Sequence, residues 1–152
     1  MREVTIRDAV EADYESLKAL HEQLHENDPT FGPAHRRVFA QILESPWLRL
    51  FVLEAVDGSL MASCYLNIIP NLSRGAAPYG VIENVITCQS SRRRGYGKAV
   101  MTHAIEVAWV VGCYKVMLMT GSKRENTHSF YRACGFSGEE KTAYIMRAPG
   151  SV

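Results

Sequence analysis

The stretch IENVITCQSSRRRGYGKAVM, residues 82–101, decides the fold that we predict for this chain. It opens with residues rich in β-branched side chains, which predict a strand. Gly95 and Gly97 then form a turn in which the backbone can approach a ligand without a Cβ in the way. From Lys98 to Val111 apolar residues recur at helical spacing. The stretch therefore predicts a strand, a basic glycine turn and the start of a helix.

The glycine turn has the chemistry of a phosphate site. The first backbone N–H groups of a helix have no intrahelical acceptor, and the helix dipole adds partial positive charge there. Arg92, Arg93 and Arg94 add full charges at the same place. Because helix starts of this kind bind anions, we expect the amides from Arg93 to Lys98 to hold a phosphate or pyrophosphate.

Other interpretations of the turn stay open at this point. It is not a P-loop or a dinucleotide-binding loop, since neither Gly-Lys-Ser/Thr nor Gly-x-Gly-x-x-Gly is present. A solvated basic turn or a nucleic-acid-binding module built on SRRRGYG remains an alternative. The composition argues against nucleic acid, because 17 Lys and Arg residues are offset by 16 Asp and Glu residues. A dedicated nucleic-acid binder normally carries a broad basic field.

Length and composition set the outer limits. The chain has 152 residues, of which 47% are hydrophobic, so we expect one domain over residues 1–152 with one sizeable core. The N-terminus has no long apolar run, which predicts neither a signal peptide nor a membrane span. No Cys-x-x-Cys pair occurs, and the histidines show no metal-ligand spacing with the cysteines. We therefore expect reduced thiols, a cytoplasmic location and no metal.

Hydrophobic periodicity predicts an α/β domain with three layers and a mixed sheet. The predicted strands cover residues 4–9, 49–55, 60–68, 81–87, 114–120 and 142–147, and the predicted helices cover 11–27, 34–45, 98–111 and 126–134. Asp57-Gly58 predicts a two-residue hairpin turn between the second and third strands. The strand at 114–120 is continuously apolar, which predicts a central position buried on both faces.

Two segments resemble a known family. Arg92, Gly95 and Gly97 match the acyl-CoA-binding motif Gln/Arg-x-x-Gly-x-Gly/Ala of the GNAT N-acetyltransferases. The segment NTHSFYRACGF, residues 126–136, resembles the N…FY…GF segment that ends the family's core. Together they cover residues 81–136. The spacing in this region, with Ile-Glu in the fourth strand, is similar to the glucosamine-phosphate acetyltransferase branch.

The resemblance implies a GNAT fold: a mixed, mostly antiparallel central sheet whose fourth and fifth strands splay apart, flanked by helices. It implies acetyl-CoA as cosubstrate, with the pantetheine arm pairing along a strand edge as an added strand would. The cofactor-binding residues implied are Val85, Ile86, Thr87, Arg92, Arg93, Arg94, Gly95, Tyr96, Gly97, Lys98, Asn126 and Tyr131. Asn126 stands closer to Tyr131 than in the commoner family pattern, so its contact with CoA stays open.

Acetyl transfer to an amine also needs acid–base groups. Glu83 is an acid inside an otherwise apolar strand, and we predict that it is the general base, acting directly or through water. A positioned base typically contributes about 10²–10⁴-fold. The resemblance implies a backbone N–H near Val85 for the oxyanion and Tyr131 as the general acid that protonates the leaving thiolate.

The sequence does not identify the amine that accepts the acetyl group. We expect the loops at residues 27–33 and 70–80 to flank the amine site, with Phe31, Arg74 and Glu83 as candidate substrate contacts. An amino sugar phosphate, an amino acid, an amino acid-like antibiotic and a polyamine are all possible small primary amines. A protein lysine as acceptor, or a CoA-binding sensor without catalysis, remains an alternative. The family resemblance makes a homodimer plausible.

Overall fold

The computed structural model describes residues 3–25 and 27–151. They fall in two compact units, one ending at Leu118 and the other beginning at Met119, and each is described by itself. The single domain expected over residues 1–152 stays a prediction. No helix in the described ranges has both the length and the apolar character needed to cross a membrane.

The first unit holds a five-stranded sheet with the strand order β1-β2-β3-β4-β5. Its elements are β1 (Val4–Asp8), α1 (Tyr14–His21), α2 (Pro33–Glu44), β2 (Leu48–Ala55), β3 (Leu60–Ile69), β4 (Tyr79–Thr87), α3 (Tyr96–Val111) and β5 (Val116–Leu118). The first four strands pair antiparallel, and β4 pairs parallel to β5. The predicted mixed sheet is confirmed.

Helices cover both faces of this sheet. Successive side chains of β2 point to opposite faces, and those on each face are buried against a helix. Leu50 and Val52 belong to a buried cluster with residues of α1 and α2. On the opposite face, the Phe51 ring meets His103 of α3 edge-on, with the ring centroids 4.8 Å apart. All three of these β2 residues are almost fully buried. The three predicted layers are therefore α1 and α2, the sheet, and α3.

A bulge interrupts β4 at its centre. Tyr65 of β3 pairs with Glu83 of β4, and the register then shifts, leaving Asn84 and Val85 opposite Cys64. Asn84 has a φ of 49°, in the left-handed region that Asn tolerates better than most residues. A bulge of this kind bends the strand and redirects the side chains beside it.

Strands β4 and β5 separate at the same level. Their pairing covers only Gly80–Ile82 and Val116–Leu118, whereas β4 runs on to Thr87. On that side residues 83–87 have no strand partner among the described residues. The predicted splay of the fourth and fifth strands is thereby confirmed.

The predicted position of the fifth strand was wrong. β5 has three residues rather than the seven of 114–120, all half-buried, and it lies at the edge of the sheet as described. A continuous apolar run predicts burial on both faces only when strands flank both sides. Here only β4 pairs with it.

The hairpin between β2 and β3 is correct, but its turn is longer than predicted. The Gly58 N–H donates to the Ala55 carbonyl, and the Ala55 N–H to the Ser59 carbonyl, both at 2.9 Å. Only Gly58 has a positive φ, 82°, whereas a two-residue primed turn of the Asp-Gly type needs two. The loop is therefore three residues ending in a left-handed glycine.

Predicted helix boundaries also moved. The first helix covers Tyr14–His21 instead of residues 11–27, with a 3-10 turn at Glu11–Asp13 before it, and Glu26 of the predicted range lies outside the described residues. The third begins at Tyr96 rather than Lys98 and ends, as predicted, before the left-handed Gly112.

In the second unit, α4 (Glu125–Ala133) confirms the predicted helix, with Gly135 left-handed just after its end. The predicted strand at 142–147 does not form. Its Tyr144, Ile145 and Met146 are 92%, 78% and 97% exposed. A strand depends on hydrogen bonds to a neighbour, and its sequence pattern cannot supply that neighbour.

Candidate active site

The turn before α3 forms a concave row of amides, which we call the amide cradle and define as residues 93–98. Arg93 and Gly95 are both left-handed, with φ of 61° and 82°. Alternation of this kind directs successive N–H groups toward one side, the geometry of anion-binding nests. Gly95 is the N-cap of α3 and lies at the cradle's centre.

The amides of the cradle are not used by the rest of the described protein. The first helical bond of α3 runs from the Ala99 N–H to the Gly95 carbonyl at 2.9 Å, so the amides of residues 96–98 precede it. The amides of residues 93–95 likewise have no hydrogen-bond acceptor among the described residues. The earlier Gln89 amide is occupied by Gln23, 3.0 Å away.

Positive charge surrounds the cradle. Arg92, Arg93, Arg94 and Lys98 are exposed, and none takes part in the six salt bridges found among the described residues. Tyr96 and Gly97, by contrast, are buried in the first turn of α3. The cradle therefore offers backbone donors and uncompensated cations together, while Tyr96 contributes packing.

The unpaired edge of β4 precedes the cradle in the chain, with residues 88–92 between them. Val85 and Thr87 are half-buried and Ile86 is 3% exposed, and all three lie beyond the last residue that pairs with β5. A strand edge without a partner offers a row of N–H and C=O groups. A ligand held by the cradle can thus continue along β4 by main-chain hydrogen bonds.

Glu83 lies on β4 just before the bulge, with its side chain exposed. No cation among the described residues forms a salt bridge with it. Its cross-strand partner is Tyr65, and directly opposed residues place their Cβ atoms about 4.5–5.5 Å apart on one face. The Glu83 carboxylate therefore leaves the sheet beside the Tyr65 ring.

Tyr65 also lines a cavity of about 200 Å³, the ring-lined cavity, between the sheet and the first two helices. Its walls are mainly apolar or aromatic: Tyr14, Leu17, Lys18, His21, Phe31, Ala34, His35, Val38, Phe39, Ile42, Leu50 and Tyr65. The Phe31 and His35 rings stack with centroids 4.2 Å apart at 17°. The predicted substrate contact Phe31 therefore lies in the same cavity as Tyr65.

His21 links the wall of the cavity to Tyr65. Its Nδ1 lies 2.9 Å from the Leu17 carbonyl, which can only accept, so Nδ1 carries the proton. Nε2 is then the acceptor nitrogen, 3.4 Å from the Tyr65 hydroxyl. Burial lowers the pKa of His21 below its ordinary 6.5. Burial also raises the pKa of Tyr65, an effect opposed by a hydrogen bond with Asn84.

Arg74 does not join this group. It lies before β4 with its guanidinium 6.0 Å from the Tyr114 ring centroid, and it does not line the cavity. The strand from Tyr79 to Thr87 spans about 26 Å at roughly 3.3 Å per residue. Arg74 is thus at the end of β4 opposite the amide cradle.

Tyr131 and Asn126 lie in the second unit, on α4. Tyr131 is half-buried, its ring tilted against Phe130 with centroids 5.4 Å apart. Its carbonyl accepts from the amides of Cys134 and Phe136 at 3.0 and 3.2 Å, which fixes the end of the helix. Asn126 is exposed in the first turn. Their roles toward CoA stay predictions.

Sequence reasoning missed His21, Tyr65 and the bulge at Asn84. Each left a signal. His21 continues the apolar stripe of Tyr14 and Leu17 at helical spacing, and a polar residue in such a stripe is informative. Asn is disfavoured within strands, so Asn84 among β-branched residues indicates an irregularity. Within residues 3–25 and 27–151, no group of three or more metal-ligating side chains occurs.

Comparisons with known proteins agree with this arrangement. The pattern of the acetyltransferase (GNAT) family matches residues 14–136. The chain is 36% identical over 84 residues to a glucosamine 6-phosphate N-acetyltransferase of Trypanosoma brucei brucei, covering 55% of each chain. It thus spans about half the length of the first curated relatives that it matches.

Solved structures match more of the chain. A putative acetyltransferase from Agrobacterium tumefaciens superposes with a TM-score of 0.90 at 41% identity, covering 95% of this chain and 99% of that one. An aminoglycoside N-acetyltransferase in complex with CoA has a TM-score of 0.81 at 21% identity, covering 97% and 96%, a likeness of fold. The chain belongs to the GNAT acetyltransferase family, as the sequence motifs predicted, and within it is similar to the glucosamine-phosphate branch.

Proposed function

We propose that this protein is an acetyl-CoA-dependent N-acetyltransferase that acts on a primary amine of a small molecule. The observation that carries the proposal is the amide cradle, whose unused N–H groups stand at the end of an unpaired strand edge. A pyrophosphate in the cradle and a pantetheine arm along Val85–Thr87 would bring the thioester to the bulge. A fold neighbour has been solved with CoA, which supports the cofactor.

The chemistry uses Glu83, which lies beside the bulge, and Tyr131, whose role the family resemblance implies. The amine nitrogen attacks the thioester carbonyl, forming the N–C bond, and the C–S bond breaks as CoA leaves. Glu83 takes the proton from the amine, directly or through water, and Tyr131 gives a proton to the departing thiolate. A main-chain N–H near Val85 would stabilise the oxyanion, which is typically worth about 10²–10³ in rate. The exposed, unpaired Glu83 carboxylate supports this assignment.

The test is release of CoA from acetyl-CoA with a panel of small amines. We expect turnover with at least one amine. A protein that binds CoA but turns over neither small amines nor lysine peptides would be the non-catalytic sensor, and turnover of lysine peptides alone would make it a protein acetyltransferase. Absence of CoA binding would refute the proposal. The cytoplasmic location and the homodimer expected from the sequence stay predictions.

Two substitutions test the assigned roles. Glu83→Gln and Tyr131→Phe should each lower kcat by about 10²-fold or more at saturating substrates, because each removes a proton-transfer group. Glu106→Gln, at an exposed residue of α3, and Tyr144→Phe, at a residue that is 92% exposed, make the same chemical changes elsewhere and should leave kcat unchanged. Unchanged kcat in both test variants would remove the two roles while leaving acetyl transfer in place.

A further inference from the structure

We propose that the ring-lined cavity is the acceptor site and that its substrate is an arylalkylamine, one aromatic ring joined by a short carbon chain to a primary amine. This proposal rests on the proposed acetyltransferase function. It goes further by naming a chemical class for the acceptor amine, which the sequence does not specify.

The cavity has room for one aromatic ring. An apolar cavity of about 150 Å³ accommodates benzene. The cavity here, about 200 Å³, adds room for two or three further heavy atoms. A single aromatic ring with a two-carbon arm fills that volume.

The chemistry of the wall favours a flat apolar body. The stacked Phe31 and His35 pair and the tilted Tyr14 and Phe39 pair, with centroids 5.4 Å apart, present ring faces and edges. Aromatic groups pack well against such rings in offset or edge-to-face arrangements. A sugar would leave most of its hydroxyl groups without partners here, which is costly when they are buried.

A phosphate group finds little compensation in the cavity. Lys18 is the one permanently charged side chain among the cavity's lining residues. Arg36 packs over the Tyr14 ring at 4.1 Å, but it is already paired with Glu11 at 2.6 Å and Glu15 at 3.5 Å. Phosphate sites in proteins normally use several donors or arginines together. The wall therefore lacks the charge that a sugar phosphate needs.

The polar end of the cavity fits an amine. The lining residue Tyr65 is the cross-strand partner of Glu83, so the amine nitrogen belongs at that end, within reach of the base. An ammonium over the Tyr65 ring gains a cation–π contact before it loses its proton. The Tyr65 hydroxyl donates to Nε2 of His21 at 3.4 Å, so the phenol oxygen keeps acceptor capacity for an N–H of the amine. The aromatic ring and the amine of the substrate thus occupy opposite ends of the ring-lined cavity.

The experiment compares acceptors at fixed acetyl-CoA: 2-phenylethylamine, glucosamine 6-phosphate and spermidine. We expect kcat/KM for 2-phenylethylamine to exceed the other two by about tenfold or more, because only its ring fills the cavity. Calorimetric titration of 2-phenylethylamine into the protein gives a second readout that needs no turnover. A larger kcat/KM for glucosamine 6-phosphate or spermidine would overturn the proposal while leaving acetyl transfer intact.

Variants that fill the cavity tie the result to this site. Ala34→Trp and Val38→Trp place a large ring on two exposed residues at its mouth. Both should raise KM and Kd for 2-phenylethylamine about tenfold or more without changing KM for acetyl-CoA. Gln41→Trp, exposed on the same helix but outside the lining, is the control and should change neither. Unaltered 2-phenylethylamine binding in both filled variants would refute the cavity as its site. This result is independent of whether the proposed acetyltransferase activity is confirmed.

Discussion

The amide cradle and the ring-lined cavity are built from different parts of the chain. The cradle is backbone from one stretch, residues 93–98, whose conformation depends on left-handed residues. The cavity is side chains contributed by α1, α2, β2, β3 and the loop before α2. The cradle can therefore persist while its side chains change, whereas every wall residue of the cavity alters what it admits. This difference suits a shared cofactor and a variable acceptor.

The energetic sensitivity of the two regions differs in the same way. A change at the cradle acts when it forces the backbone out of the left-handed region, even where there is open space for a side chain. A Cβ on Gly95 would meet no atom within 4 Å, so the cost there is conformational and not steric. A change at the cavity acts through volume and polarity.

The largest effect is expected at the cradle. Gly95→Val puts a β-branched residue at a φ of 82°, which costs about 1–3 kcal/mol in strain or moves the amides. The Kd for acetyl-CoA, measured by calorimetry, should rise about 10- to 100-fold. Affinity for the amine should change much less, because the cavity contains no residue of the cradle.

Gly58→Val provides a matched control. Gly58 has the same φ of 82°, at the hairpin between β2 and β3. The substitution should lower stability by a similar amount and leave acetyl-CoA affinity unchanged. Equal loss of CoA affinity in the two variants would mean that backbone strain anywhere in the fold weakens CoA binding. Tight CoA binding by Gly95→Val would mean that the pyrophosphate binds outside the amide cradle.

The second prediction concerns acid sensitivity at the cavity. Burial lowers the pKa of His21 from its ordinary 6.5, so the unfolded state binds the proton more readily than the folded state. The free energy of unfolding should therefore fall as pH drops below about 6.5 toward the lower folded pKa, and this contribution should be flat above 6.5. Denaturant titrations at pH 7.5 and pH 5 measure the fall.

His21→Gln removes this titration. The variant should lose less stability than the wild type between the two pH values, whatever its stability at pH 7.5. Lys18 and His35, which also line the cavity, are unchanged in both proteins, so the difference isolates His21. Identical falls in the two proteins would show that the imidazole titrates as it does in water.

The smallest effect is expected from two buried serines, one near each region. Ser63 lies in β3 close to Tyr65, and its hydroxyl has no hydrogen-bond partner among the described residues. Ser91 precedes the cradle, and its hydroxyl donates to the Met61 sulfur at 3.1 Å. Ser63→Ala should be neutral or stabilising by up to about 1 kcal/mol, since it removes an unpaired buried group.

Ser91→Ala should instead destabilise by about 0.5–1 kcal/mol, because a hydrogen bond is lost. Chemical denaturation at one pH compares the two. Clear destabilisation by Ser63→Ala would show that its hydroxyl finds a partner in solution, and it would remove the contrast between the two sites.

The sequence predicted the local backbone around the amide cradle well: a strand, a glycine turn and a helix start. Arg92, Gly95 and Gly97 lie within one short stretch, and each has a local physical reason, so the sequence alone carries the pattern without tertiary information. The two strands of the hairpin and the end of α3 before Gly112 were predicted correctly for the same reason. Predictions became less accurate where the outcome depended on a neighbour: the edge position of β5 and the strand expected at 142–147.

By itself, then, the sequence determined the local backbone: strand, left-handed turn and helix start, and with them the family. The ring-lined cavity, by contrast, depends on tertiary structure. Strand register set Tyr65 opposite Glu83, and helix packing brought His21 to Tyr65, 44 positions away in the chain. Local conformation follows from nearby residues, whereas a cavity forms from the packing of distant ones, which no short stretch of sequence encodes.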